Sequence, residues 1–222
     1  MKIDLHVHTS EMSACGALSS EETINGYKEA GFDGIVITNH YNSWTQWWVY
    51  EKYGIGGDHY YEAYKKCWED AARLGDKVGL RVFFGCELKT NNNNDYLLYG
   101  APDEFLSRNN TDLWKMSAGD INQYAKVYGF LFYQAHPFRD NMQITNPKDL
   151  FGIEVKNANP RHNARNDIAA CWADKYPDLH RISGSDCHQR EDIAVGGIET
   201  DVDVKTTAEL VEVLRNDRYT IL

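Results

Sequence analysis

The sequence has too few cysteines for a disulfide framework, and those present are not arranged in pairs. Cys15, Cys67, Cys86, Cys171 and Cys187 are an odd number, lie far apart and include no Cys-x-x-Cys motif. This spacing argues against a disulfide scaffold and against a zinc–thiolate knuckle. We therefore expect reduced thiols, and we expect Cys15, Cys86 and Cys187 to be small buried apolar residues.

Long apolar runs and an excess of positive charge are also missing. No hydrophobic stretch reaches the length of a membrane span, and the first predicted strand starts at Lys2, which leaves no room for a signal peptide. We therefore expect a cytoplasmic protein with no membrane partner. The net charge of −10 argues against a nucleic-acid partner, since binding to a nucleic-acid backbone needs clustered Lys and Arg. The net charge does not exclude small anions as ligands, because bound divalent cations can make a local pocket positive.

The apolar pattern predicts seven strands, most of them separated by helices. The 222 residues, of which 42% are hydrophobic, suit one domain covering residues 1–222. The predicted strands cover 2–8, 33–38, 80–86, 96–100, 129–135, 151–155 and 180–184. Predicted helices cover 59–75, 118–128 and 163–175, and two more begin at the capping boxes Ser19–Glu22 and Thr206–Glu209.

The alternation of strands and helices favours an α/β fold with a parallel sheet, either an open doubly wound sheet or a closed barrel. Several polar residues fall at or beside the carboxyl ends of predicted strands: His8, His40, Glu87, Asp95, His136 and Asp186. Reactive groups of β/α barrels gather at such ends, so this placement favours closure. In the first strand, alternation of side chains puts His6 and His8 on one face.

Imidazoles and carboxylates at one end of a barrel predict a metal centre. Neutral imidazoles and ionised carboxylates suit Zn, Mn or Fe, and the lack of thiolate ligands argues against a purely structural zinc site. A hydroxide held between two such cations is a strong nucleophile at neutral pH. The same cations would offset charge on the oxygens of a phosphate ester.

Five motifs, taken together and in order, resemble those of the PHP (polymerase and histidinol phosphatase) family. They are Asp4–Thr9, Ile37–His40, Gly85–Glu87, Ala135–Phe138 and Gly184–His188. The resemblance spans residues 4–188. It implies a distorted (β/α)7 barrel, two or three bound metal ions and hydrolysis of phosphoesters.

The resemblance also implies how the ligands are shared between metals. The implied sets are His6, His8, Glu87 and Asp186 for the first metal, Glu87 with His136 for the second, and His40 with His188 for the third. Asp95 stands where the family commonly has a histidine, and we expect it to ligate the second metal. Glu11, in the loop after His8, is the candidate for a further ligand to the third metal. Asn39 replaces a frequent aspartate and would alter a hydrogen bond to a ligand rather than a ligand.

Cationic residues beyond the strand ends are candidates for substrate binding and catalysis. Arg139 and Arg161 could each bind two phosphate oxygens, with surface ion pairs as the alternative interpretation. His162 could protonate the leaving alkoxide. Lys89 is a weaker candidate for the electrostatic role, whereas His59 and His180 lie in no motif and are interpreted as structural.

Residues 41–58 are rich in Trp and Tyr and directly follow His40. We predict a loop over the barrel mouth that stacks on an aromatic or sugar portion of the substrate. A packed local cluster or a subunit contact is the alternative.

These observations predict a metal-dependent phosphoesterase that acts on a small phosphorylated substrate, most simply a phosphomonoester. Histidinol phosphate is one candidate substrate. A hydrolase for a cyclic phosphodiester or an amide would use the same centre. The alternative of a different class is a metal-binding module without turnover.

Overall fold

One curved sheet organises the molecule. Among the residues that the computed structural model describes, 1–108 and 112–222, ten strands belong to this sheet. They are β1 (Lys2–Val7), β2 (Gly34–Ile37), β3 (His40–Tyr41), β4 (Arg81–Lys89), β5 (Asp95–Tyr99), β6 (Leu131–Gln134), β7 (Gly152–Asn157), β8 (His180–Gly184), β9 (Ile198–Glu199) and β10 (Thr220–Ile221). The seven predicted strands are all present, and the short strands β3, β9 and β10 are additional.

The strand order is β10-β9-β1-β2-β4-β5-β6-β7-β8, and β3 pairs with β4. The pairs β1–β2, β2–β4, β6–β7 and β7–β8 are parallel, but β5 runs antiparallel to both β4 and β6. The prediction of a wholly parallel sheet was therefore wrong at β5. Only residues 90–94 connect β4 to β5, and parallel neighbours need a crossover of about a dozen residues or more.

The sheet closes where the end of β1 meets the segment after β8. Val7 and Cys187 form a parallel bridge, and the His8 N–H donates to the Cys187 carbonyl oxygen at 2.9 Å. Asp4 adds a side-chain link, because its Oδ1 accepts from the Ser185 N–H at 3.0 Å and its Oδ2 from the Tyr27 hydroxyl at 2.7 Å. The predicted fold, an α/β distorted barrel, is confirmed.

Helices cover the outside of the barrel. In the described residues they are α1 (Ser20–Glu29), α2 (Ser43–Tyr53), α3 (Tyr60–Val78), α4 (Asp103–Arg108), α5 (Ala118–Tyr128), α6 (Asn166–Ala173) and α7 (Thr207–Arg215). Both predicted capping boxes form, at Ser19 and at Thr206. None of the described helices combines the length and the apolar character that crossing a membrane requires.

The helix α2 replaces the loop that was predicted after His40. Asn42 caps it by accepting a hydrogen bond from the Thr45 N–H at 2.8 Å, and it ends at Gly54, which has φ of 70°. Asparagine at the start and a left-handed glycine at the end are ordinary helix signals. The density of aromatic residues between them concealed this pattern.

The core holds β1 so that its polar residues face the centre of the barrel mouth. Ile3 and Leu5 are fully buried in one cluster with Ile182 of β8 and Leu210 of α7. Because side chains alternate along a strand, Asp4 and His6 are directed to the other side.

Candidate metal centre

Glu87, near the end of β4, lies at the middle of the predicted ligands and is 1% exposed. Its Oε1 lies 3.4 Å from His6 Nε2 and 3.1 Å from His136 Nε2. Its Oε2 lies 3.4 Å from His8 Nε2 and 2.7 Å from His40 Nδ1. Each carboxylate oxygen is therefore shared by two imidazoles that come from different strands.

Asp186, directly after β8, supplies a second buried carboxylate to the same centre. Its Oδ1 lies 3.4 Å from Nε2 of both His6 and His8, and 3.4 Å from His188 Nδ1. Asp186 has φ of 52° and His136 has φ of 29°. Residues other than glycine rarely adopt such backbone angles, which cost on the order of 1–3 kcal/mol and cluster at functional sites.

Three groups of donor atoms follow from this arrangement. In each group the ligand atoms lie within 4.8 Å of one another: His6, His8 and Asp186; His6, Glu87 and His136; and His8, His40 and His188. The structure thus brings together every predicted ligand except Glu11 and Asp95. His6 and His8 each belong to two groups, so the groups are adjacent.

Buried donor atoms without partners show that the centre suits cations. Within the part of the chain that the structure describes, Nε2 of His6 and Nε2 of His8 are buried and have no hydrogen-bond partner. A buried polar atom without a partner costs on the order of 1–3 kcal/mol. Nitrogen and carboxylate oxygen donors in this number fit divalent ions such as Zn, Mn or Fe.

The two carboxylates stay ionised despite their burial. Burial alone would raise the pKa of Glu87, but positive charge on His6 and His40 outweighs it and holds that pKa well below its usual value. The pKa of Asp186 is likewise low, because the charge of His6 and the neighbouring His8 imidazole outweigh its burial. Burial and the neighbouring His188 lower the pKa of His8. Carboxylate and neutral imidazole are the forms that bind metals.

Two other imidazoles hold protons more tightly than usual. Burial opposes the charge on His6, but Asp186, Glu154 and Glu87 outweigh it and raise its pKa well above the usual value. The pKa of His40 is raised as well, because Glu87 outweighs the effect of burial. A metal that binds these nitrogens must therefore displace protons.

Comparison with known proteins supports one family. The profile of the PHP domain matches residues 4–192, most of the chain. The chain belongs to the PHP family. As a member of this family it is a metal-dependent hydrolase. A search of the curated proteins found no match.

Solved structures share the fold of this PHP domain at low sequence identity. A candidate metal-dependent phosphoesterase from Bifidobacterium adolescentis has a TM-score of 0.61 and 14% identity, with 96% of each chain covered. PsfC from Pseudomonas syringae has a TM-score of 0.69 and 15% identity, with 99% of this chain and 90% of that chain covered. The lesion-specific endonuclease PfuEndoQ from Pyrococcus furiosus has a TM-score of 0.64 and 16% identity, with 99% of this chain but only 57% of that chain covered.

Glu154, on β7, belongs to the centre of this PHP domain although sequence reasoning missed it. Its Oε1 lies 3.0 Å from His6 Nδ1, and its Oε2 accepts from the His136 N–H and from Asn157 Nδ2, both at 2.9 Å. A carboxylate at Nδ1 favours the proton there and would leave Nε2 of His6 available to bind a metal ion. A lone acidic residue in the predicted strand 151–155, which is otherwise apolar, was the available signal.

Asn39 and Ser13 hold two further histidines in place. Ser13 Oγ lies 3.3 Å from His8 Nδ1, accepts from the His40 N–H at 3.1 Å and donates to Asn39 Oδ1 at 2.9 Å. Asn39 Oδ1 also accepts from the Thr9 N–H at 2.8 Å. Asn39 therefore hydrogen-bonds Ser13, which in turn contacts His8 and His40. It acts on residues that position the ligands, as its place in the second motif indicated.

Glu11 and Asp95 do not belong to the three donor groups. Glu11 Oε1 accepts from the Ser20 N–H at 2.8 Å, at the first turn of α1. Asp95 Oδ1 lies 3.0 Å from Lys89 Nζ, so these two predicted site residues pair with each other. Burial and the nearby charge of Glu87 raise the pKa of Asp95. Ligation by Glu11 and by Asp95 stays a prediction.

Cys15 lies where a buried apolar residue was expected, and that prediction was wrong because the side chain is exposed. Partial desolvation would raise the pKa of the Cys15 thiol, but the nearby imidazoles of His188 and His40 outweigh this effect and lower that pKa to about 6. Cys86 and Cys187 are buried, as predicted.

The predicted substrate-binding cations lie around the edge of the centre but are engaged in ion pairs. Arg139 Nη2 lies 2.6 Å from Asp186 Oδ2, which leaves Oδ1 of that carboxylate to the histidines. Arg161 forms two contacts with Asp192, at 2.6 and 3.2 Å. His162 is exposed, and partial burial and then the charge of Arg139 lower its pKa. Roles in catalysis for Arg139, Arg161 and His162 stay predictions.

The aromatic residues of α2 are mostly on the surface. Trp44, Trp47, Tyr50 and Tyr53 are between 46% and 57% exposed, although the Tyr53 ring packs edge-on against Trp48 with a centroid distance of 6.2 Å. Trp47 and Tyr50 line a groove of about 530 Å³. A substrate wall and a subunit contact both stay predictions.

Proposed function

We propose that this PHP domain hydrolyses a small phosphate monoester at the centre around Glu87. The observation that carries the proposal is the buried Glu87 carboxylate, each oxygen of which lies between two imidazoles within 3.4 Å. Asp186 completes a set of donors that suits adjacent divalent ions. Sites with two adjacent metals are common in phosphatases.

The residues that would hold the ions are the members of the three donor groups. The carboxylates of Glu87 and Asp186 are shared between neighbouring groups of histidines, which supports two or three ions of Zn, Mn or Fe. Bound ions of this kind lower the pKa of coordinated water and neutralise charge on phosphate oxygens.

The protein's own side chains would prepare this chemistry. Glu154 orients His6, and Arg139 holds the outer oxygen of Asp186. Arg161 adds a cationic group to the same edge, and its charge helps to lower the pKa of His162, after burial and the charge of Arg139. A phosphate anion beside His162 would raise the pKa of its imidazole again, as a general acid for the leaving alkoxide requires.

Cleavage of a phosphodiester in nucleic acid is the second candidate function. The structural likeness to the endonuclease PfuEndoQ favours it. However, this chain spans only 57% of that endonuclease, and its net charge is −10. Tracking a nucleic-acid backbone needs clustered positive charge, so we favour the small monoester.

The test is phosphate release from a panel of esters with Mn or Zn added. The panel contains p-nitrophenyl phosphate, sugar phosphates, histidinol phosphate, bis-p-nitrophenyl phosphate and a DNA oligonucleotide. We expect turnover of monoesters, and a loss of at least about 100-fold in Asp186→Asn, since an essential group at the reacting centre contributes on that scale. Asp201→Asn is the matched control, because Asp201 is 89% exposed.

Each alternative has its own result. Cleavage of diesters or DNA without monoester turnover would favour the second function. A folded, metal-loaded protein that is inert on every ester would favour a metal-binding module. Hydrolysis that survives unchanged in Asp186→Asn would place the chemistry elsewhere.

A further inference from the structure

We propose that a cavity between α1, α2 and α3 binds a small organic ammonium ion with an apolar body. The cavity has a volume of about 410 Å³, and the described residues that line it include no member of the three donor groups. Small-molecule sites commonly have volumes of about 300–1,000 Å³ and combine apolar walls with a few placed polar groups. The inference does not depend on the proposed ester hydrolysis.

Apolar side chains form most of the cavity wall. They come from the loop after β1, from α2 and the segment after it, and from α3: Met12, Val49, Ile55, Ala63, Ala71 and Leu74. Met12, Val49 and Ala71 are buried, so this part of the wall belongs to the core. Such a wall favours a ligand with an apolar body, because removing apolar surface from water is favourable.

Two oxygen atoms of the lining residues lack a partner. Oε2 of Glu11 and Oγ of Ser20 are buried, and neither has a hydrogen-bond partner among the described residues. Ser20 as a whole is 5% exposed. Buried polar atoms in proteins are normally hydrogen-bonded. This pair of acceptors therefore indicates a ligand that supplies hydrogen-bond donors.

The Glu11 carboxylate is held in a fixed position. Its Oε1 accepts from the Ser20 N–H at 2.8 Å, which ties the loop after β1 to the first turn of α1. The same loop is closed by a hydrogen bond from the Ser10 N–H to the Leu18 carbonyl oxygen at 2.8 Å. A site that is already ordered loses less conformational freedom when a ligand binds.

The charges of the lining residues favour a cation. Lys66 and Asp70, the two charged lining residues of α3, pair with each other at 3.2 Å, which leaves the charge of Glu11 without a counter-ion in the described lining. An ammonium group has three donors and no acceptor, so it can donate to Glu11 and to Ser20 together. Divalent ions prefer a larger set of oxygen ligands than one carboxylate oxygen and one hydroxyl.

Titration of the full-length, Zn-loaded protein with 2-phenylethylammonium tests the site. Two-dimensional NMR of isotope-labelled protein locates the ligand and gives its dissociation constant. We expect saturable shifts at the amides of Met12 and Ser20. The neutral analogue 2-phenylethanol should bind at least about tenfold more weakly, since hydrogen bonds between charged groups are stronger. Absence of saturable binding, equal affinity for both compounds, or shifts centred on His6 and Asp186 would overturn the proposal.

Glu11→Gln should weaken binding of the ammonium ion at least about tenfold and remove its preference over the alcohol. Glutamine keeps an oxygen that can accept from the Ser20 N–H, so we expect the variant to fold. Glu62→Gln, an exposed change on α3, is the matched control and should bind like the wild type. Equal affinities of these two variants would contradict a role for the Glu11 carboxylate.

Ala63→Phe tests the cavity independently of Glu11. Ala63 is half-buried on α3 and lines the cavity, so a phenyl ring there should fill the space and prevent binding. Val127→Phe, at a residue of α5 that is 79% exposed, is the control and should leave binding unchanged. Undiminished binding in Ala63→Phe would mean that the ammonium ion binds elsewhere.

Zinc content separates this role of Glu11 from the metal ligation predicted from the sequence. Elemental analysis should show the same Zn per chain in Glu11→Gln and in the wild type. Loss of a Zn ion from Glu11→Gln would assign the carboxylate to the third metal and overturn the proposal. Because none of these measurements uses ester hydrolysis, binding of the ammonium ion by a protein inert on every ester would reject only the proposed function.

Discussion

At the scale of single residues, the centre depends on side chains that hold the ligands in position. Glu154 contacts His6 and the backbone of His136, and Arg139 contacts Asp186. Such outer contacts fix the ring orientation and the protonation of ligands, and their loss typically weakens metal binding about 10–100-fold. We therefore expect metal affinity to depend on the geometry of these contacts and not on their charge alone, and this expectation can be tested.

Glu154→Gln should weaken Zn binding by about 10–100-fold while the protein stays folded. Glutamine has one acceptor oxygen where glutamate has two, so either His6 or the His136 N–H loses its partner. Competition with a chromophoric chelator measures the Zn dissociation constant. Glu199→Gln, an exposed change on β9, serves as the control, and equal affinity in both variants would argue against a positioning role for Glu154.

Metal affinity should increase as the pH rises from about 6 to 8. The pKa values of His6 and His40 are raised in the metal-free protein, so both imidazoles carry protons that the metal must displace. Raising the pH removes these protons and strengthens binding. Calorimetric titration in buffers of different ionisation enthalpy measures the protons released, and binding that is independent of pH and releases no protons would contradict the expectation.

At the scale of elements, the contact between β1 and β8 decides where His6 lies. Gly184 ends β8, and a Cβ at that position would meet His6 Cβ at 2.4 Å and Glu154 Oε1 at 3.1 Å. The two strands approach this closely only because residue 184 has no side chain. A strand separation that differs by a few tenths of an ångström would move His6 relative to both carboxylates.

Gly184→Ala should weaken metal binding and destabilise the fold by roughly 1–3 kcal/mol, the usual cost of overpacking. Gly119→Ala in α5 is the matched control. Its added Cβ meets nothing nearer than 3.5 Å, and alanine is favoured over glycine in a helix by about 0.5–1 kcal/mol. Urea unfolding and chelator competition measure both effects, and indistinguishable variants would show that the close contact is unimportant.

At the scale of the whole molecule, the metal centre ties together segments that are distant in sequence. His6 comes from β1, Glu87 from β4 and Asp186 from the end of β8. Ions held in the donor groups that share His6 would link both sides of the closing seam of the barrel. Binding to the native state alone must therefore stabilise it.

Zn at about 100 times its dissociation constant should stabilise the protein by about 2.7 kcal/mol. For a domain of this size that corresponds to an increase in Tm of roughly 5–10 °C. Thermal unfolding followed by circular dichroism, with and without Zn, measures the shift. Asp186→Asn should show a much smaller shift, and an equal shift in this variant would mean that Zn stabilises the protein through another site.

The sequence by itself determined the strand–helix alternation, the capping boxes and most of the centre. Periodicity and capping are local properties, so the helix starts at Ser19 and Thr206 could be predicted without knowledge of the fold. Barrels gather reactive groups at strand ends, so His8, Glu87 and Asp186 could be expected together once closure was inferred.

Only the tertiary structure decided the contacts that join distant segments. His6 and Glu154 are 148 positions apart, and Asp4 and Ser185 are 181 apart, so no local pattern pairs them. The direction of β5 and the hydrogen bond from the Ala17 N–H to the His188 carbonyl oxygen likewise depend on how the chain returns to the sheet. Pairing of this kind is set by packing in three dimensions, whereas residue type and spacing report only what each segment can contribute.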